Sequence, residues 1–109
     1  MIASALALIL AAYAGQASDT TRAAREAFTG CLRAYVDQSL NGQSTAEAFQ
    51  TAFPQQCSAQ EAAFREAVIR RETSMRASRG DAEQAARDEI EEARTNFRER
   101  FEMAMQPEG

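Results

Sequence analysis

Cys31 and Cys57 are the only cysteines in this chain, and whether they pair constrains its fold more than any other feature. They stand behind a start in which residues 1–17 carry no charged side chain and residues 2–14 are nearly all apolar. Small residues follow at cleavage spacing, as Ala12-Tyr13-Ala14 before Gly15 or Gly15-Gln16-Ala17 before Ser18, and the second site is preferred. That is the pattern of a secretory signal peptide. Gln16 and Asp19 end the apolar run before it reaches the ~20 residues of a membrane span, so no stable span is expected after cleavage. An exported chain with an even number of cysteines enters an oxidising compartment, where pairing is the default. A periplasmic or secreted protein stapled by Cys31–Cys57 is therefore expected.

The staple matters because there is little else to bury. After residue 17, Leu, Ile, Val and Phe supply only 12 side chains, and alanine takes up much of the difference. Alanine is the best helix former but contributes little apolar area. Well-formed helices around a thin core follow, in one domain spanning 18–105 with a frayed tail at 106–109. Closing a loop of about 26 residues is worth about 3.5 kcal/mol by chain entropy, a large share of a small domain's stability.

The spacing predicts an all-α bundle of three to four helices at about 18–40, 45–53, 58–79 and 81–105. Ser18, Asp19 and Thr20 are good N-caps for the first. Ala24, Phe28, Cys31, Leu32, Tyr35, Val36 and Ser39 or Leu40 form its inward stripe. Gly42 supplies a stop. Ser44-Thr45-Ala46-Glu47 and Ser58-Ala59-Gln60-Glu61 both read as capping boxes, with serine and glutamate serving each other's backbone N–H. Pro54 ends the second helix. Phe64, Ala67, Val68, Arg71 and Met75 carry the third stripe, and Ile90, Ala93, Phe97, Phe101 and Ala104 or Met105 the fourth.

Between Arg70 and Glu89 the only large apolar side chain is Met75, and Gly80 sits in that gap. A kink or turn near Gly80 is expected, with Asp81-Ala82-Glu83-Gln84 as the following cap. The pairs Glu72–Arg76, Arg79–Glu83 and Glu83–Arg87, each four apart, would instead favour an unbroken helix. A reversal would lay Arg71, Arg76 and Arg79 near Asp81, Glu83 and Asp88, and fold Phe97 and Phe101 back over Phe64 and Val68.

The absence of histidine excludes Ser-His-Asp and Cys-His catalysis and ordinary zinc sites. No C-x-x-C or glycine-rich phosphate loop occurs. Asp88, Glu89, Glu91 and Glu92 have the chemistry to hold a hard cation, but solvation and pairing with Arg87 is the favoured reading. The arginines of residues 65–79 read as a solvated helix face, since no aromatic residues interleave to stack bases and the chain carries a net charge of −4. No catalytic residue, metal, cofactor or nucleic-acid partner is expected.

Ala48-Phe49-Gln50-Thr51-Ala52-Phe53-Pro54-Gln55-Gln56-Cys57, with Cys31 upstream and a long helical segment downstream, resembles a group of small secreted two-cysteine helical bacterial proteins. The resemblance implies a two-cysteine periplasmic helical domain and no particular activity. A likeness to periplasmic helical stress proteins is architectural only, because their leucine-threonine and glutamine motif and their histidines are missing. Two functions are compatible with this reading. One is a non-enzymatic interaction or structural module of the cell envelope, with Tyr35, Phe97, Phe101, Met103 and Met105 as candidate contacts for a protein partner or a second copy. The alternative is a chaperone-like or stress-adaptor protein holding non-native clients on a Met- and Phe-bearing concave face. In either case, circular dichroism with and without reductant should show a helical domain whose melting temperature falls by many degrees on reduction. A shift below one or two degrees would contradict the role given to the staple.

Overall fold

Alanine, arginine and glutamate dominate the chain and all favour helix. The computed structural model describes the backbone of residues 2–107 and the side chains of residues 19–107, and over that range it holds four α-helices and no strand. They are α1 (Ile2–Asn41), α2 (Ala46–Ala52), α3 (Ser58–Ser74) and α4 (Arg79–Met105), with one 3₁₀ turn at Phe53–Gln55. The expected signal peptide, residues 1–17, lies outside the described side chains, and Glu108 and Gly109 of the expected tail lie outside the described backbone. Among the described residues no helix is long and apolar enough to cross a membrane.

Helix α1 does not begin at Ser18, Asp19 or Thr20 as expected but runs through them from Ile2. The preceding segment is rich in strong helix formers, so a potential cap there has no break to cap. Its C-terminus closes without a left-handed glycine. Gln43, with φ 57°, takes that conformation, while the Ser44 and Gln43 N–H groups donate to the carbonyls of Ser39 and Leu40. These are the two bonds of a Schellman ending.

Helix α3 lies between α1 and α4 and packs on both. A middle helix needs two apolar faces, which is why Ile69 is buried beside Phe64, Ala67 and Val68 although it falls off the expected stripe. On α4, Ala82, Ala86, Ile90, Phe97 and Phe101 are buried at spacings of three and four, and Ala93 is packed against them. Ala82 and Ala86 fill the apparent gap in the pattern: with no large side chains there, α3 and α4 close up directly below their turn. Phe28, Leu32 and Val36 of α1 and Phe49 and Phe53 complete a single core.

The reversal between α3 and α4 occurs at residues 75–78, and Gly80 is not its cause. Arg76 adopts the left-handed conformation at φ 69°, and the Ala77 and Arg76 N–H groups donate to the carbonyls of Glu72 and Thr73, a second Schellman ending. Ser78 is the N-cap of α4, its hydroxyl accepting from the Asp81 N–H at 3.1 Å. Asp81 thus serves inside the cap instead of beginning it, and Gly80 lies in the first helical turn. Met75, one residue past α3, swings outward and is 63% exposed. Arg79–Glu83 forms at 2.9 Å, whereas Arg87 donates to Gln84 and not to Glu83.

Two substitutions test this geometry. Arg76→Gly should stabilise the domain by about 0.5–1 kcal/mol, because glycine adopts the left-handed conformation without a Cβ penalty. A Cβ at Gly80 would meet nothing within 4 Å, so Gly80→Ala should stabilise by about 0.5 kcal/mol in urea unfolding. If Gly80 were the breaker, that alanine would destabilise instead.

Candidate functional site

Residues 53–57 join α2 to α3 and are held from both α1 and α4. Pro54 sits in the first turn of the 3₁₀ segment, where its missing N–H costs nothing. Cys57, at the N-cap position of α3, is left-handed with φ 63° and makes no side-chain cap. Its sulfur is bonded to Cys31 of α1, with Cα atoms 6.0 Å apart. The expected Ser58–Glu61 capping box does not form, because Cys57 takes the N-cap position and puts Ser58 inside the helix, and the Glu61 carboxylate has another partner. Similarly, Thr45 and not Ser44 caps α2, accepting from the Ala48 N–H at 3.1 Å.

That partner is Arg94 of α4. Its Nε donates to Glu61 Oε1 at 2.7 Å, Nη1 to the Phe53 carbonyl at 3.2 Å and Nη2 to the Gln56 carbonyl at 2.8 Å. The guanidinium also lies over the Phe28 and Phe53 rings, 5.3 and 5.6 Å from their centroids. Only 12% of the side chain is exposed. One arginine therefore binds a carboxylate of α3, two backbone carbonyls of the linker and two core rings. The sequence does hold a signal for it: Arg94 is four residues after Ile90 and seven before Phe101, a charged residue on the buried stripe.

A second ionic cluster ties the three long helices together. Glu89 of α4 accepts from Arg25 of α1 and Arg71 of α3, each at 2.7 Å, and Arg71 also reaches Glu72 at 2.9 Å. Burial acts to lower the Arg71 pKa, but the hydrogen bonds and charges of Glu89 and Glu72 outweigh it and hold the guanidinium above its ordinary value. Arg79 pairs with Glu83 as expected, whereas Arg71 pairs with Glu89 and Asp88 accepts from Gln84. Of the acidic run, Glu89 faces arginines, and no group of three or more metal-ligating side chains occurs among the described residues.

The surface expected from Tyr35, Phe97, Phe101, Met103 and Met105 is divided by the fold. Phe101 is fully buried, its ring stacked on Phe49 at 3.8 Å between centroids, and Phe97 is 7% exposed. Phe97 and Phe101 fold back into one core with Phe64 and Val68 as expected; within it Phe101 stacks on Phe49 of α2, and Phe64 on Phe28 at 5.8 Å. Tyr35 is half-buried against Phe49 and Phe53. Met103 and Met105 are exposed on the last turn of α4, whereas Met75 lies at the opposite end, about 40 Å away along the helix. All six phenylalanines are buried, so a concave Met- and Phe-bearing face is not assembled.

Among the described residues, three open clefts stand out. One of about 320 Å³ lies between α1 and α4, lined by Arg25, Thr29, Glu89, Glu92, Asn96 and Phe97 among others. One of about 350 Å³ is bounded by Thr21, Arg22, Arg25 and Arg71. The third, of about 370 Å³, follows the α3–α4 seam and is lined by Arg65, Arg87, Glu91, Arg94, Thr95 and Arg98, with Ile90 at its floor. No protein-family model, characterised protein or solved structure matches the chain.

Arg94→Ala would leave Glu61 without its closest cation and two linker carbonyls without their donor, and should cost about 3 kcal/mol. Arg94→Lys should recover less than half, since a single ammonium cannot reproduce the planar fork. Urea unfolding of the oxidised protein checks both, and a loss below about 1 kcal/mol would remove Arg94 from its central role.

Proposed function

We propose that the chain is an exported, non-enzymatic interaction module of the periplasm or cell envelope. The observation that carries this reading is the Cys31–Cys57 disulfide, a bond that persists in oxidising compartments and is rare elsewhere. The charge-free apolar start and the small residues before Gly15 and Ser18 support export, as does the resemblance to small secreted two-cysteine helical proteins. Glu61, Glu72 and Glu89, the carboxylates nearest the core, are each held by arginine and act as ties between or along helices. What remains for an outside partner is the polar surface of a rigid three-helix frame. The division of the exposed methionines between the two ends of α4 gives a client-holding role less support.

Expression of the full chain in a Gram-negative host provides the test. Osmotic-shock fractions should contain protein whose N-terminus is Gly15 or Ser18 by mass spectrometry, and a maleimide added before reduction should label neither cysteine. Full-length protein with two labelled thiols in the cytoplasmic fraction would overturn the reading.

A further inference from the structure

The three clefts differ in how their arginines are compensated. Around the clefts touching α1, Arg22 pairs with Asp19, Arg25 with Glu89, and Arg71 with Glu89 and Glu72, at 2.7–2.9 Å. Along the α3–α4 groove the balance fails. Arg94 is turned inward to Glu61, and Arg65 finds only the other oxygen of the same Glu61, at 3.8 Å. Arg87 donates to the neutral amide oxygen of Gln84, and Arg98 lies over the Phe53 ring at 5.6 Å. Among the described residues, neither Arg87 nor Arg98 has a carboxylate within 4.0 Å.

These positions are not scattered. Arg87, Arg94 and Arg98 fall within about 20° of one line along α4, with Glu91 beside them and Arg65 across the seam on α3. Arg94 and Arg98, four residues apart, are like charges on one helix face, and an anionic partner would relieve that repulsion. Arg87 and Arg98 stand 11 residues apart in sequence, about 16 Å along the axis, too far for one carboxylate or phosphate to bridge. An extended strand puts same-side residues every ~6.6 Å, so acidic side chains at alternate positions span this distance within about five residues. The planar guanidinium fork suits a carboxylate bidentately.

Resting on the reading of the chain as an interaction module, we propose that the α3–α4 groove docks an acidic peptide segment of a partner protein, received by Arg65, Arg87 and Arg98. A nucleic acid fits the groove less well. No aromatic ring is exposed in it to stack bases, and a chain of net charge −4 repels a dense phosphate backbone more than a peptide with spaced carboxylates.

Fluorescence anisotropy with the oxidised protein tests this, using a fluorescein-labelled 12-residue peptide with glutamate at alternate positions. The wild type should bind it, the glutamine counterpart should not, and R87E/R98E should weaken binding at least tenfold. The control R22E/R70E carries the same change in net charge away from the groove and should shift binding less than twofold. If R87E/R98E fails to reach the wild-type circular dichroism, R87Q/R98Q replaces it with the same expectation. No binding by the wild type, equal weakening by both double variants, or tighter binding of an oligonucleotide of equal charge would each overturn the proposal. None of these results bears on export or the disulfide, which the fractionation experiment reads independently.

Discussion

The fold depends on how residues 53–57 are held. Helix α2 is seven residues long, too short to persist alone, yet it delivers Phe49 to the core and leads directly into Phe53. Its C-terminal continuation is fixed covalently from α1 through Cys31–Cys57 and non-covalently from α4 through Arg94. The two ties act on different things. The disulfide limits how far the linker can depart in the unfolded chain, whereas Arg94 satisfies the linker's carbonyls and packs on the rings of Phe28 and Phe53 in the folded one.

This division suits a chain so poor in large aliphatic residues. Aromatic rings do much of the filling, from the Phe49–Phe101 stack to the Phe28–Phe64 pair, and Ala82 and Ala86 bring α3 and α4 together where no ring fits. Around that core, arginine–glutamate ties span the helices: Arg25 and Arg71 on Glu89, and Arg94 on Glu61. Such partly buried pairs are costly to break singly, because the partner left behind is a desolvated charge. They therefore align the helices as much as they stabilise them.

The same accounting of charge separates structural arginines from available ones. Arg25, Arg71 and Arg94 are engaged with carboxylates, and the guanidiniums of Arg87 and Arg98 are not. A view based on arginine count alone would treat the whole of residues 65–79 as one patch. In the folded protein the relevant groove instead draws one arginine from that stretch and the rest from α4. A frame in which Glu61, Glu72 and Glu89 serve its own helices, while Arg87 and Arg98 line one seam without a carboxylate, is suited to holding a partner.

Much of this was legible in the sequence, and the boundary is physical. The helical class, the stapled pair Cys31–Cys57, the inward faces of α1 and the C-terminal stripe through Ile90, Phe97 and Phe101 follow from periodicity and composition, which act locally along the chain. Pro54 ends α2 as expected, but glycine was a less reliable guide, because Gln43, Cys57 and Arg76 take the left-handed positions and Gly80 takes none. Only the tertiary structure decided that Glu61 is held by Arg94, that Ile69 needs burial on a second face, and that Glu89 serves two arginines. Each depends on which helices become neighbours, and a side chain's best partner across such a seam lies up to 64 residues away in sequence. The chain determined its helices one turn at a time. Their packing determined which charges are spent inside the protein and which remain at its surface.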